Sequence, residues 1–158
     1  AATREVPSPP TWRDLTRPES PPWQSCAAMP ADGPFPEFAK HFEYRVVAGV
    51  PFGGGAAQAI GWVRPREPGA ARDAAFLAAM VDVWWPAMLA REKTMRPLAT
   101  IAFTLEIVGE PGELGDEPLL YRGTVPIAGD GYFFETRELW TADGRLLALN
   151  HQTFAVIR

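Results

Sequence analysis

Residues 73–91 read DAAFLAAMVDVWWPAMLAR, and this stretch decides the fold. Its larger apolar residues recur at the 3.6-residue period of an α-helix. They are Leu77, Met80, Val81, Trp84 and Met88. Asp73 has the residue type of an N-cap or an early acidic residue. Because the stretch is rich in alanine and apolar on nearly every face, it predicts one long buried helix from Asp73 to about Arg91.

On both sides of this helix the pattern changes to the two-residue alternation of strands. The predicted strands cover residues 42–47, 57–64, 98–108, 119–127, 132–140 and 146–157. Asp-Gly pairs at residues 130–131 and 143–144 are strong hairpin signals, so the last four strands are expected to form an antiparallel meander. One sheet and one apolar helix predict an α+β protein whose sheet wraps around the helix.

Composition excludes several classes of protein. The chain has 158 residues, 47% of them hydrophobic, and a formal net charge of −4. These values are typical of a folded domain with at most a tail. No apolar run reaches the roughly 18 residues that span a bilayer. A mildly acidic chain lacks the basic surface that nucleic acids require. We therefore expect neither a membrane nor a nucleic-acid partner, and, with no visible signal peptide, a cytoplasmic protein.

The first 36 residues contain nine of the 17 prolines. Proline removes backbone donors and favours extended conformations. Residues 1–34 are therefore predicted to form a Pro-rich arm or linker, and residues 35–158 a single domain. Trp12 and Trp23 are unusual in a free linker and indicate that the arm lies against a folded surface.

Every serine and the single cysteine, Cys26, also lie before residue 27. One cysteine excludes an internal disulfide and a cysteine-based metal cluster. Unless a serine reaches in from the arm, the folded part has no serine or cysteine nucleophile. Any hydrolysis in this chain is therefore expected to use activated water.

Asp82 is the most informative polar residue. Its helical-wheel neighbours are apolar, and an isolated buried carboxylate is costly. Pro86 lacks the N–H that would bond the Asp82 carbonyl, so the helix should kink or loosen there. Two interpretations stay open: Asp82 bonds a neighbouring backbone group, or it is a functional carboxylate in a partly apolar cleft.

Other polar residues carry weaker signals. Thr100 is the first polar member of one face of its predicted strand, opposite Ile101, Phe103, Leu105 and Ile107, and Gln152 lies in the last strand. Each alone is an ordinary strand residue. His41 and His151 lie in different strand regions without metal-ligand spacing. A cluster of Arg91, Lys93 and Arg96 lies just past the helix, where it either stabilises the helix C-terminus or contacts the phosphates of a ligand.

The ordered set of motifs resembles a known family. Gly61-Trp62-Val63-Arg64 precedes the Asp82 helix, and Leu98-Ala99-Thr100-Ile101 follows it. A segment that reads LWTADGRLLA at residues 139–148 comes shortly before Gln152. These pieces, from about residue 35 to the end, are similar to the second hotdog domain of TesB-like acyl-CoA thioesterases and their thioesterase-like relatives.

The resemblance implies a hotdog fold, a curved antiparallel sheet wrapped around one long helix. It also implies hydrolysis of acyl-CoA thioesters without a covalent intermediate and without a cofactor, coenzyme A being part of the substrate. Asp82 would be the general base, and Thr100 and Gln152 would hold the attacking water. Backbone N–H groups near the helix would stabilise the oxyanion.

For an acyl-CoA substrate, the residues also offer candidate binding groups, and the resemblance suggests a partner for the chain. Trp84 and Trp85 would line the acyl pocket, although they could equally be core. Arg91 and Arg96 would contact coenzyme A. Family members usually carry two hotdog repeats, whereas this chain has one, so a homodimer or higher oligomer is expected.

Two other functions stay open at this point. The first is a non-catalytic acyl-thioester binding or interaction module that keeps the hotdog fold. The second is a hotdog dehydratase or hydratase that uses His41 or His151 as its base, although the sequence shows no Asp-His motif of that kind.

Overall fold

A computed structural model describes residues 12–30, 33 and 35–157. The strands are β1 (Phe42–Ala48), β2 (Gln58–Pro65), β3 (Leu98–Ile107), β4 (Leu119–Gly129), β5 (Tyr132–Trp140) and β6 (Leu146–Val156). They form one antiparallel six-stranded sheet in the order β1-β2-β4-β5-β6-β3. The one α-helix among these residues, α1 (Ala74–Asp82), lies against one face of this sheet, and the α+β expectation is thereby confirmed.

The helix begins where the sequence predicts and ends earlier. The Asp73 carboxylate accepts a hydrogen bond from Phe76 N at 2.9 Å, which confirms the N-cap. The α-helix stops at Asp82 instead of continuing to Arg91, and a short 3-10 helix covers Ala87–Ala90. Pro86 explains this correction, because its ring nitrogen cannot donate to the Asp82 carbonyl.

The described residues cover only one side of α1. Leu77, Met80 and Val81 are buried against the sheet. Ala74, Ala75 and Ala79 are exposed, which corrects the expectation of a helix buried all round. The sheet curves around one side of the helix, so the described residues leave the alanines on the other side uncovered.

The sheet order corrects a second expectation. Strands β4, β5 and β6 do form a meander, but β3 pairs with β6 at the sheet edge and not with β4. Strand β2 pairs with β4 instead. The connection through α1 crosses the sheet between β2 and β3, so β3 lies at the edge opposite β1. Both Asp-Gly turns form, with positive φ at Asp130, Gly131 and Gly144.

The described part of the arm covers the face of the sheet opposite α1. There Trp23 packs against a cluster made of Trp62, Leu120, Trp140 and Leu146. The guanidinium carbons of Arg45 and Arg64 lie 4.1 and 4.2 Å, respectively, from the ring centroid of Trp23, so two cations flank this one indole. Trp23 is therefore an anchor, as expected, whereas Trp12 is 74% exposed and is not.

No helix in the described part of the chain is long and apolar enough to cross a membrane.

Candidate active site

Asp82 occupies the last position of α1, immediately before the helical hydrogen bonding breaks. Its side chain is 55% exposed, although the residues around it in the sequence are apolar. The carboxylate lies at the wall of a cavity instead of in the core. The break at Pro86 thus places a carboxylate at a helix end, next to open space.

Two side chains from the sheet donate to the same oxygen of Asp82. Gln152 Nε2 donates to Oδ1 at 2.8 Å, and Arg137 Nη1 donates to Oδ1 at 3.0 Å. Among the described residues, no protein group donates to Oδ2. One oxygen is therefore anchored, and the other is free to accept a proton from a bound molecule.

The amide of Gln152 has one orientation only. Asn150 Nδ2 donates to the carbonyl of Thr104 at 2.8 Å, which turns Asn150 Oδ1 toward Gln152. Gln152 Nε2 then donates both to this Oδ1 and to Asp82, each at 2.8 Å. Both neighbouring atoms are acceptors, so the Gln152 carbonyl must point the other way. Gln152 offers an acceptor, not a donor, to anything bound beside it.

Thr100 lies near that carbonyl. Its hydroxyl is 3.4 Å from Gln152 Oε1, which is a long hydrogen bond. The register shifts between Thr100 and Ala102, so Thr100 pairs with Phe154 and Phe103 pairs with Gln152. Paired residues of antiparallel strands share a face, so Thr100 shares its face with Phe103, contrary to the expected alternation. The bulge explains the correction, because one extra residue reverses the alternation.

Beneath Asp82 lies a buried ion pair that the sequence reading missed. Arg137 Nε donates to Glu135 Oε1 at 2.8 Å, and the two side chains are 2% and 0% exposed. Glu135 also accepts from Ala87 N at 2.8 Å and from the Tyr121 hydroxyl at 3.2 Å. The available signal is their place in β5, where two charged residues occupy the same inward face as Phe133 and Leu139.

Burial and neighbouring groups shift the pKa values of both members of this ion pair. Burial raises the pKa of Glu135 above its ordinary 4.5, against the opposing effects of Arg137 and the Ala87 N–H. Burial also raises the pKa of Tyr121 well above 10.0, so its phenol stays protonated and donates. Burial acts to lower the pKa of Arg137, but Tyr121, Glu135 and Asp82 outweigh it and the pKa is raised. Arg137 is therefore a permanent cation below Asp82.

The cavity beside Asp82 has a volume of about 320 Å³. Its polar lining residues include the three predicted catalytic residues, and most of the others are apolar or aromatic. The aromatic lining residues are Phe35, Phe38, Phe42, Tyr44, Phe52, Trp84, Trp85 and Phe154. A mostly apolar cavity with a few convergent polar groups is the usual form of a small-molecule site.

The structure separates the four predicted substrate-binding residues into two groups. Trp84 and Trp85 line the cavity, with ring centroids 4.7 Å apart. Trp84 is also core: it stacks on Tyr121 and lies so close to Gly61 that a Cβ there would be 2.4 Å from its ring. Arg91 lines a different, open depression of the surface. Arg96 is exposed, and its Nε lies 3.8 Å from Glu92 Oε2. Contact of either arginine with coenzyme A stays a prediction.

The two histidines lie outside the cavity. His151 Nε2 is 3.9 Å from Glu106 Oε2, on the sheet face opposite Gln152. His41 ends the short 3-10 helix Glu37–His41 and is not among the residues that line the cavity. Within the described ranges, no group of three or more His, Cys, Asp or Glu could hold a metal ion.

The curved sheet around one helix defines the class of the protein: a hotdog-fold domain, here with an apolar cavity and a set of polar side chains at the end of its helix. The chain belongs to the family described as "Acyl-CoA thioesterase C-terminal domain", which it matches over residues 14–156. A search of curated proteins finds no match.

Solved structures show the same fold. A conserved protein of unknown function with hotdog fold from Alicyclobacillus acidocaldarius is 27% identical, with a TM-score of 0.85 over 99% of this chain and 59% of its own. A putative thioesterase II from Thermobifida fusca YX is 25% identical, with a TM-score of 0.73 over 97% and 58%. The acyl-CoA thioesterase II TesB2 from Mycobacterium marinum is 21% identical, with a TM-score of 0.70 over 95% and 59%. This chain therefore spans less than two thirds of the length of each.

Proposed function

We propose that this chain hydrolyses acyl-CoA thioesters, using water activated by Asp82, Thr100 and Gln152 and forming no covalent intermediate. The observation that carries the proposal is the 2.8 Å contact between Gln152 Nε2 and Asp82 Oδ1 at the wall of the apolar cavity. It unites two residues 70 positions apart in the sequence, and it leaves Asp82 Oδ2 available as a base.

The geometry supports one arrangement of the attacking water. One proton of the water points to Asp82 Oδ2, and the other points to the acceptor atoms Gln152 Oε1 and Thr100 Oγ1. A lone pair of the water oxygen is then directed at the thioester carbonyl carbon. Holding the two reactants in this orientation removes much of the entropic cost of bringing them together.

Hydrolysis then takes two steps. The water oxygen forms a bond to the carbonyl carbon while its proton passes to Asp82 Oδ2. The carbon–sulfur bond then breaks, and the coenzyme A sulfur takes that proton from Asp82. The products are a carboxylic acid and a free thiol, and Asp82 ends as it began. Among the described residues, none of those that line the cavity is a serine or a cysteine, which agrees with direct attack by water.

Backbone groups at the helix break are suited to the oxyanion. No described carbonyl or side-chain oxygen accepts from the backbone N–H of Trp84 or Trp85, two and three residues after Asp82. We propose these N–H groups as donors to the carbonyl oxygen as it gains charge. The same break that exposes Asp82 thus leaves backbone donors near it.

We further propose that the active unit is a pair of hotdog domains formed by two copies of this chain. In the described chain β3 pairs only with β6, so its other edge is open. Ile101, Phe103 and Ile107 on β3 are exposed, as are the alanines of α1. Open edges and exposed apolar surface favour association with another chain. Because the proposed substrate is a coenzyme A thioester, we also propose that this chain acts in the cytoplasm.

The test is release of free thiol from short, medium, long and aromatic acyl-CoAs by wild-type protein and by Asp82→Asn. We expect hydrolysis by the wild type and a loss of kcat on the order of 1,000-fold in the variant, because asparagine cannot accept the proton. The control is Asp130→Asn, which keeps the turn because asparagine tolerates its positive φ of 51°.

Two outcomes would contradict the proposal. Equal kcat in wild type and Asp82→Asn would remove Asp82 from the mechanism. Binding of acyl-CoA by the wild type without thiol release would instead favour the non-catalytic binding module.

A further inference from the structure

We propose that Arg137 and Glu135 are positioning residues that hold the Asp82 carboxylate in the rotamer from which Oδ2 faces the cavity. This inference rests on the proposed function, because it takes Asp82 as the base. It assigns a role to the only buried ion pair that contacts the site in the described part of the chain.

The pair spans the break in the helix. Arg137 Nη1 lies 3.3 Å from the Val81 carbonyl and 3.5 Å from the Asp82 carbonyl, which are acceptors left over at the end of α1. Glu135 accepts from Ala87 N, the first residue of the following 3-10 helix. One ion pair therefore holds the chain on both sides of residues 83–86, and those residues include Trp84 and Trp85 of the cavity wall.

The position of Arg137 is itself tightly fixed. Its guanidinium is planar, so the contact of Nε with Glu135 also fixes the direction of Nη1. The rings of Tyr121 and Phe154 lie 6.0 and 5.7 Å from its Cζ atom. Asp82, with a side chain 55% exposed, has no comparable packing of its own. Its orientation is therefore set by Arg137 and Gln152.

Stability alone is a poor explanation for this pair. Removing two charges from water costs several kcal/mol per ion, and apolar residues of similar volume often replace buried ion pairs without loss of stability. A core of this composition could place apolar residues at both positions. The charged, hydrogen-bonding side chains present here contact Asp82 Oδ1 and both ends of the break, which apolar side chains would not do.

The test is the double variant Glu135→Gln/Arg137→Met, which removes both charges and leaves neither unpaired. We expect kcat for acyl-CoA hydrolysis to fall on the order of 100-fold with KM changed less than about threefold, because a shift of about 1 Å in a reacting group has an effect of this size. The melting temperature should change no more than in the control. Wild-type kcat in the folded double variant would overturn the inference.

The matched control is Arg122→Met/Glu138→Gln. That ion pair, with Arg122 Nη2 2.6 Å from Glu138 Oε2, also uses β5 but lies on the face opposite Asp82. It should lose stability and keep kcat. Equal losses of kcat in the two double variants would show a general effect of sheet stability and overturn the positioning role.

A second variant keeps the inference testable if the double variant fails to fold. Arg137→Lys keeps the charge beside Glu135, but one ammonium nitrogen cannot hold Glu135 and Asp82 in fork geometry. We expect a similar loss of kcat in this variant, and wild-type kcat would overturn the inference.

Crystal structures separate this inference from the proposed function. We expect one rotamer of Asp82 in the wild type and more than one in the double variant. If the wild type releases no thiol, the proposed function fails, and the rotamers alone decide the positioning role. A single, unchanged Asp82 rotamer in the double variant would contradict it.

Discussion

At the scale of single residues, the site depends on which atoms can donate and which can accept. Asp82 Oδ1 and Asn150 Oδ1 both accept from Gln152 Nε2, so the neighbouring groups determine the orientation of the amide from both sides. Asn150 in turn is oriented by a backbone carbonyl, that of Thr104. A chain of three hydrogen bonds thereby links the edge strand β3 to the proposed base.

Gln152→Glu tests this orientation. Glutamate has the same length, but its oxygens only accept, and it would bring a second negative charge beside Asp82. We expect kcat to fall on the order of 100-fold while the fold is kept, measured as thiol release near pH 7. The result would be contradicted by a kcat within about twofold of wild type.

His151→Gln is the control for that experiment. His151 is the neighbouring residue in β6, but it lies on the opposite face of the sheet, near Glu106. Its replacement should leave kcat unchanged. A large loss of thiol release in this variant would instead indicate that His151 takes part in the hydrolysis.

At the scale of elements, the arm is held to the sheet by a charged cluster. Arg45 Nη1 donates to the carbonyls of Trp23 and Cys26, both at 3.0 Å. Glu43 bonds Arg45 at 2.7 Å and Arg64 at 2.8 Å, the two cations that flank the Trp23 ring. The carboxylate therefore orders both cations against the arm.

The pH dependence of this cluster follows from Glu43. Burial acts to raise its pKa, but the hydrogen bonds from Arg45 and Arg64 outweigh burial and lower the pKa below 4.5. A lowered pKa in the folded state means that the ionised form is favoured by folding. Its contribution to the free energy of unfolding is complete above about pH 4.5 and is lost as the pH falls through the folded-state pKa.

Glu43→Gln should therefore lower stability at neutral pH by roughly 1–3 kcal/mol and flatten the fall in stability on acidification. Thermal unfolding of both proteins from about pH 7 to about pH 3 measures this. Glu37→Gln is the control, because its ion pair with Lys40 is exposed and should contribute less than about 0.5 kcal/mol. Parallel pH curves for wild type and Glu43→Gln would contradict the assignment.

At the scale of the whole molecule, the order of the sheet leaves β3 as an edge. The chain covers the outer face of the sheet near β1, β2 and β4 with its own arm. Nothing in the described residues covers the open edge of β3 or the alanine face of α1. The uncovered surface lies on the side that carries Thr100, so pairing of two chains there would also enclose the site.

Light scattering tests the proposed pair. We expect wild-type protein at twice the chain mass and Ile107→Lys, on exposed β3, as a monomer, because the substitution buries a charge in the contact at a cost of several kcal/mol. Ile127→Lys, an exposed position of β4, is the control and should remain paired. A monomeric wild type with full thioesterase activity would show that pairing is not required.

The sequence by itself determined the parts of this protein that depend on near neighbours. The Asp73 cap, the two Asp-Gly turns, the strand positions and the break at Pro86 are local, because each depends on residues within a few positions. The composition showed that every serine and the single cysteine lie before residue 27, and the ordered motifs indicated the family.

The tertiary structure alone decided which side chains meet. The sequence could single out Asp82, but its partners Gln152 and Arg137 lie 70 and 55 residues away. Their meeting depends on β3 crossing to the sheet edge, on a one-residue bulge that turns Thr100 inward, and on the buried ion pair of β5. Such contacts between distant residues leave no periodic trace in the sequence, because they depend on how strands pair and not on what surrounds each residue along the chain.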